Sequence, residues 1–391
     1  MKILHIVPSY YPAVRYGGPI ISVHGLCRAL AAAGNEIDVY TTNVDGDRDS
    51  DVPLFEPVLL DGVNVHYFPS RYGRRLFYSL PMAKRLQESI QDYDLVHLHS
   101  VFLWPTWVAA RQAIKANIPY LVSPRGMLVK ELISRKNYLL KILWIELIEK
   151  KTLARAAGIH VTSDVELKEL QKFNFCLQKI YTIANGIDLP QQWNKVDVSE
   201  DVCRAVERQP YILFFGRINW KKGLDRLVRA LTGIPGVNLV IAGNDEEGYL
   251  PKLQGIAADS GISDRIIFIP RFIAGADKEA LYTSASVFVL PSYSENFGNT
   301  VFEAMIRSVP VVVTEEVGVG AIIKNHQAGM AVGADKLADA IIKVLQNKDE
   351  TNKMANRGSA LVRDRFNWEH IAGEMSRCYR EILDKSDAAN Q

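Results

Sequence analysis

Residues 291–305 read Pro291-Ser292-Tyr293-Ser294-Glu295-Asn296-Phe297-Gly298-Asn299-Thr300-Val301-Phe302-Glu303-Ala304-Met305. The apolar run 286–290 before them has the length and composition of a buried strand, and the apolar period over 300–307 is helical. The stretch is therefore strand, loop, helix, the junction at which open α/β sheets bind ligands. Its chemistry suits an anionic, hydroxyl-rich ligand. Gly298 lets backbone approach a ligand closely. The amides of Asn299, Thr300 and Val301 stand at a helix N-terminus, where orphan N–H groups hold phosphate. Glu295 and Glu303 flank them, and a carboxylate accepts two hydrogen bonds from a vicinal diol. One can hold a sugar and the other a ribose.

Upstream, Phe215-Gly216-Arg217-Ile218-Asn219-Trp220-Lys221-Lys222-Gly223 again follows a strand and opens a helix. Gly216 permits the turn, and Arg217 and Lys222 put two cations at a strand end, where a diphosphate can sit. A third turn, Gly17-Gly18 ahead of a long helix, can offer backbone amides to phosphate; a plain turn reads almost as well, and no P-loop pattern follows it.

The spacing P-S-x-S-E-x-F-G-x-x-x-x-E-A-M resembles the donor-site motif of the retaining family-4 glycosyltransferases (glycosyl transferases group 1), which have the GT-B fold. The Gly216–Lys222 segment resembles their second signature. The resemblance implies two Rossmann-like doubly wound domains facing across a cleft, and donor binding through Gly17, Gly18, Gly216, Arg217, Lys222, Arg271, Phe272, Glu295, Asn296, Phe297, Gly298, Asn299, Thr300, Val301 and Glu303. Glu295 with the Phe297 and Gly298 amides would orient the sugar, Glu303 the ribose, and backbone near Arg271-Phe272 the base. Many members carry a His where Ser123-Pro124-Arg125-Gly126 stands here; Arg125 takes its place, a fixed cation for the donor sugar, the leaving phosphate or an acceptor phosphate. Glu295, Arg217, Lys222 and Arg125 are the catalytic candidates.

Length and composition agree. A chain of 391 residues exceeds one ordinary core. With 48% hydrophobic and 23% charged residues it is globular, and its net charge of +2 with no basic tail gives no footprint for nucleic acid. No segment reads as a signal peptide, and no run reaches the ~18 apolar residues of a membrane span. Cys27, Cys176, Cys203 and Cys378 lack CxxC spacing and read as reduced thiols. The expected location is cytoplasmic, with a peripheral position at the inner membrane face open.

Along the chain, 3–7, 36–42, 63–68, 95–98, 119–122 and 158–161 read as strands of one parallel sheet. Those at 211–215, 237–242, 266–269, 287–290 and 309–313 read as a second. The polar stretch 190–209 lacks apolar periodicity and reads as a linker. The expected domains are 1–188, on the acceptor side, and 189–368, on the donor side. An amphipathic helix near 371–383 closes the chain; the resemblance implies that the terminal segment 369–391 packs back on the first domain.

Three further features need weighing. His97 and His99 alternate on one strand and point the same way, but no Asp, Glu or Cys accompanies them at ligand spacing, so they read as satisfied histidines and not as a metal site. Asp45-Gly46-Asp47-Arg48-Asp49-Ser50-Asp51 mimics a calcium loop, but Ser50 replaces its glycine and Pro53 interrupts it, leaving a solvated loop. The segment 128–155 sets Lys130, Arg135, Lys136, Lys141, Lys150, Lys151 and Arg155 around a Trp-bearing apolar centre. It reads as a domain helix with its stripe in the core, or as a surface for an anionic membrane.

The expected activity is metal-independent, cofactor-free transfer of a hexose, glucose-type, from a UDP-sugar to a lipid-linked saccharide in polysaccharide assembly. A GDP-mannose-dependent mannosyltransferase is the alternative. A glycosidase could use two carboxylates but has no need of Arg217 and Lys222, and a nucleotide-sugar-binding protein would show no turnover. A nucleotide-sugar epimerase on the same fold is the last alternative.

Overall fold

The computed structural model describes residues 1–14, 17–135, 138–245 and 247–390. The chain divides into two compact units, Met1–Gly186 with the terminal segment from Trp368, and Ile187–Asn367. Both are α/β, with Rossmann-like parallel sheets.

The first unit holds β1 (Lys2–Ser9), β2 (Glu36–Thr42), β3 (Val44–Asp45), β4 (Arg48–Asp49), β5 (Pro57–Leu60), β6 (Val63–Phe68), β7 (Leu95–His99), β8 (Tyr120–Ser123), β9 (Gly158–Val161) and β10 (Lys179–Thr182). Eight of them form one sheet in the order β10-β9-β8-β7-β1-β2-β6-β5. Strand alternation splits its core in two. Ile3 and Val7 of β1 pack with Val23, Leu26 and Tyr379 on one face, and Leu4 and Ile6 pack with Met82, Leu86 and Ala110 on the other. A sheet covered on both faces needs near-continuous apolar strands, which is why these strands are legible. The terminal helix Trp368–Asn390 covers the first face, with Ile371, Met375 and Tyr379 buried.

The second unit holds β11 (Tyr211–Phe215), β12 (Asn238–Ala242), β13 (Ile266–Ile269), β14 (Val287–Leu290), β15 (Val311–Thr314) and β16 (Met330–Val332), all parallel in the order β13-β12-β11-β14-β15-β16. Strand order reverses between β11 and β14, which are paired at Ile212↔Val287 and Leu213↔Phe288. That reversal places the two motif loops side by side.

Three expectations change. The first sheet is not all parallel: β5 runs antiparallel to β6 at the edge, and its half-exposed residues carry too little apolar signal to be read. The acidic loop after Asn43 is solvated as expected, but β3 and β4 pair within it as a small hairpin, and Arg74 grips it at Asp49, the Gly46 carbonyl and the Arg48 carbonyl. The polar stretch 190–209, read as a linker, carries the helix Glu200–Val206. Only Val202 and Ala205 of that helix are buried. An ion-pair cluster holds it instead: Arg271 donates to Asp201 at 2.7 and 2.9 Å and to Asp277 at 2.8 Å, and Ser199 bonds both carboxylates. Hydrogen bonding to Arg271 holds Asp201 far below the usual carboxylate range. Periodicity cannot reveal such a tie.

Candidate functional site

In the second unit the loops after β11 and β14 are pressed together. Tyr293 N–H donates to the Lys221 carbonyl at 2.9 Å. Gly223 has φ +62°, and a Cβ there would come within 2.1 Å of the Pro291 carbonyl oxygen, so only glycine allows this approach. Lys222 Nζ forms a short ion pair with Glu295 Oε2. Their side chains are only 17% and 19% exposed. Burial pushes the Glu295 carboxyl up, but the Lys222 charge and hydrogen bond, with Lys221 and Arg217, bring it net below its ordinary value. Burial, Lys222 and Arg217 depress Lys221 despite Glu295. Three cations thus surround one carboxylate at the switch point of the sheet, while Arg217 itself is exposed.

Gly298, at φ +101°, caps the helix Asn299–Ile306, whose first turn has no acidic residue and no side-chain cap. The expected row of amides is shorter than the sequence implied. Val301 N–H already donates to the Gly298 carbonyl at 2.9 Å. The N–H groups of Phe297, Gly298 and Thr300 have no partner among the described residues. Asn296 is half-buried beside them, with Gly318 N–H and Val319 N–H fastening the loop at the Glu295 and Phe297 carbonyls. An unsatisfied N–H cluster beside Lys222 is a polar cradle for an oxyanion.

Glu303, in the helix Asn299–Ile306, is largely buried. It pairs with Lys278 Nζ at 2.8 Å and accepts from the Tyr282 hydroxyl at 3.0 Å. Tyr282 is wholly buried, and burial and the Glu303 charge push its phenol far up. Arg271 is a tie inside the unit, as above, so its side chain is spent; the N–H of Phe272, whose ring is exposed, remains at the end of β13.

In the first unit, Gly17 opens the helix Gly18–Ala32 at φ +74°. Its N–H turns back to the Val14 carbonyl at 2.9 Å, and Pro19 has none, so among the described residues Gly18 supplies the turn's one remaining N–H. Arg125 follows β8 in a left-handed conformation, φ +55°. It donates through Nε (3.4 Å) and Nη2 (3.2 Å) to His99 Nδ1, and through Nη1 to Asn185 Oδ1 at 3.0 Å.

His97 and His99 lie in a buried cluster with His5 on β1 and His160 on β9, in which two hydrogen-bond chains meet through ring contacts. Each chain has one consistent proton arrangement. His160 Nε2 lies 2.8 Å from the Ile183 carbonyl, which can only accept, so Nε2 carries the proton. Ser123 Oγ then donates to His160 Nδ1, His97 Nε2 donates to Ser123, and the Tyr379 hydroxyl donates to His97 Nδ1, each at 2.7 Å. His99 Nδ1 accepts from Arg125, so its Nε2 donates to His5 Nδ1 at 2.9 Å. This leaves His5 Nε2–H buried without a partner among the described residues. Burial and the Arg125 charge hold His5 and His160 at about 3, and burial with the neighbouring imidazoles holds His97 and His99 well below the ordinary value. His5, His97 and His99 are close enough to surround a metal ion. A metal on His99 Nε2, however, would drive its proton to Nδ1, against two Arg125 donors.

The segment 128–155 is split between core and surface. Ile133, Ile145 and Leu153 are buried, whereas Leu139, Leu140, Leu143 and Leu147 are 80%, 68%, 55% and 58% exposed. A π-turn at Ile145–Glu149 rotates the apolar stripe between the flanking helices. Trp144 Nε1 anchors it by donating to the buried Glu149, which also accepts the Phe102 N–H. Lys136 lies outside the described residues. Among these, no helix is long and apolar enough to cross a membrane.

Sequence reasoning missed Lys221, although it adjoins Lys222. It also missed Lys278 and Tyr282, and His5 and His160, whose strands carry no local sign that they will neighbour His97.

Residues 16–191 match the glycosyltransferase family 4, and residues 199–360 match the glycosyl transferases group 1. An uncharacterised glycosyltransferase of Methanocaldococcus jannaschii is 27% identical, over 98% of this chain and 99% of its own. A GDP-mannose:cellobiosyl-diphosphopolyprenol alpha-mannosyltransferase of Komagataeibacter xylinus is 25% identical, over 99% and 94%. Sucrose-phosphate synthase from Thermosynechococcus elongatus superposes with a TM-score of 0.76 at 23% identity, over 98% of this chain and 99% of that one. Anabaena HepE in complex with UDP-glucose superposes with a TM-score of 0.72 at 19% identity, over 97% and 100%.

Proposed function

The chain belongs to the glycosyltransferases of family 4 and group 1, with the GT-B fold, and we propose that it moves a hexose from a UDP-sugar, glucose-type, to a hydroxyl of a lipid-linked saccharide, retaining the anomeric configuration. The observation that carries this is the cluster of Lys221, Lys222 and Arg217 around Glu295, beside the unpartnered amides of Phe297, Gly298 and Thr300. Those groups stabilise a leaving diphosphate by fixed charge. Gly216, Asn296, Asn299 and Val301 belong to the same donor loops, and the backbone near Arg271-Phe272, after β13, takes the base in this reading, the Arg271 side chain being tied to Asp201 and Asp277. A glycosidase has no use for the cations. The Komagataeibacter xylinus relative favours GDP-mannose as a second reading for the donor. Calorimetry with UDP-glucose, GDP-mannose and ADP-glucose tests the reading; no binding of any of them would overturn it.

The two glutamates divide the work. Glu303→Ala removes the proposed ribose diol acceptor and strands Lys278, so UDP binding is expected to weaken roughly tenfold. Glu295→Ala is expected to cut transfer by roughly 100-fold. It leaves UDP affinity equal or slightly higher, because Lys222 is released from its ion pair. UDP calorimetry and initial rates on both variants check this, and the reverse pattern would show the roles exchanged.

Charge stabilisation by Lys222 and Arg217 performs the work a divalent cation performs elsewhere. Transfer is expected to persist in EDTA, and Asp47→Asn with Asp49→Asn to change the rate little, the lost Arg74 contact being an exposed pair worth about 0–1 kcal/mol. Activity abolished by chelator and restored by manganese or magnesium would contradict it.

The exposed leucines 139, 140, 143 and 147, flanked by Lys130, Lys150, Lys151 and Arg155, have the composition of a reversible bilayer contact at the inner membrane face. Such a surface gives access to a lipid-linked acceptor. Flotation with phosphatidylglycerol vesicles is expected at low salt and not at high salt. Failure to float at low salt, with the protein folded, favours a soluble acceptor.

A further inference from the structure

Arg125 carries five N–H donors. His99 Nδ1 caps the edge formed by Nε and Nη2, and Asn185 takes one N–H of Nη1. One N–H on each Nη, at the end of the guanidinium, therefore has no partner among the described residues. No carboxylate among the described residues touches it. Glu166 is near enough to act on its charge, but one oxygen accepts the Gly126 N–H at 2.6 Å and the other the Thr162 N–H and hydroxyl. A half-buried cation held only by neutral groups, in a left-handed conformation that a non-glycine side chain rarely adopts, is costly unless a ligand uses it.

The histidine network explains how the guanidinium is held. His99 keeps a lone pair at Nδ1 because its proton is committed to His5 on the opposite nitrogen. A protonated His99 would meet Arg125 with a second positive charge. Burial and Arg125 itself keep the imidazole neutral. The groups around His99 are His5 on β1, His97 on its own strand, His160 on β9 and Arg125 after β8, and none is acidic.

Resting on the function proposed above, we propose that the Nη end of Arg125 binds a phosphate oxyanion of a substrate and that His99 is its positioning residue. The spare donors, one on each Nη, match two oxygens of a phosphate. The phosphate can belong to the donor's diphosphate or to a phosphorylated acceptor.

The test is calorimetry on the full chain, wild type against Arg125→Ala, with two probes: UDP, and inorganic pyrophosphate added to protein saturated with UDP. A fall in UDP affinity of roughly 10- to 100-fold in Arg125→Ala assigns the donor phosphate. Unchanged UDP affinity, with pyrophosphate binding the saturated wild type and lost in Arg125→Ala, assigns an acceptor phosphate. If neither changes while Arg125→Ala melts like the wild type, the proposal is wrong. His99→Gln presents an acceptor to Arg125 and a donor to His5, and is expected to retain the affinity that His99→Phe loses. Equal loss in both, with equal melting temperatures, removes the positioning role. If the wild type binds no nucleotide, the proposed function falls, and pyrophosphate binding with and without Arg125 still decides this inference.

Discussion

Lowering the pH from 7 to 5.5 is expected to remove about 5 kcal/mol of stability from the unit formed by 1–186 and the terminal helix. His5, His97, His99 and His160 are neutral in the native state, with His5 and His160 titrating at about 3 and the other two well below the ordinary value. Unfolded histidines titrate near ~6.5. The native pKa lies below the unfolded one, so each histidine favours the native state above the unfolded value and penalises it as pH falls beneath. The unfolded chain then binds up to about four protons that the native network refuses, and stability falls with pH accordingly. Each imidazole accounts for about 1.2 kcal/mol over this interval, before most carboxylates titrate. Thermal or urea melts of the full chain at pH 7 and 5.5 read the effect. A melting temperature unchanged across that range would show that the network admits protons or opens to water. The penalty concentrates in one place because all four rings are buried together, with the charge of Arg125 acting on each.

Replacing Lys222 by Ala is expected to have two effects from one change. Nucleotide binding loses a charge-assisted contact with the diphosphate, roughly 1.5–3 kcal/mol, and UDP affinity falls by about 10- to 150-fold. The free protein also loses the partner of Glu295. Breaking a buried pair costs ~3–5 kcal/mol; these side chains keep some water contact, so about 1–3 kcal/mol is expected here. The Glu295 carboxyl, held below its ordinary value by Lys222 against its burial, should then titrate upward. Arg217→Ala, at an exposed position, should weaken UDP binding with little effect on melting. UDP calorimetry with thermal melts on both variants separates the two effects. Wild-type affinity in both would remove the phosphate assignment, and a double-mutant cycle with Glu295→Ala isolates the ion pair.

Lys222 is held by Glu295 before any ligand arrives, and Glu303 is held by Lys278 and Tyr282. A ligand that uses Lys222 or Glu303 competes with interactions inside the protein, and its net gain is the difference. Loss of affinity on removing a residue is therefore not the full strength of its contact, and the Glu295 variant can bind nucleotide as well as the wild type.

Much of this protein is decided by local sequence. The buried strands are continuous apolar runs because both sheet faces are covered. The turns carry glycine where backbone must approach backbone, as at Gly223, or where φ is positive, as at Gly298. The strand–loop–helix units with their Glu and Lys positions are contiguous in the chain, so the motif and its site are one object. Tertiary structure alone decided which distant groups meet. It joined β1, β7, β8 and β9 so that four buried histidines meet ring to ring in two hydrogen-bond chains, one of which ends on Arg125, and it spent Arg271 on Asp201 and Asp277. It also turned a π-turn into an exposed apolar face and removed Val301 from the amide row. None of these outcomes has a period or a spacing. Each depends on which polar groups find partners once strands are paired, and that competition is settled only in three dimensions.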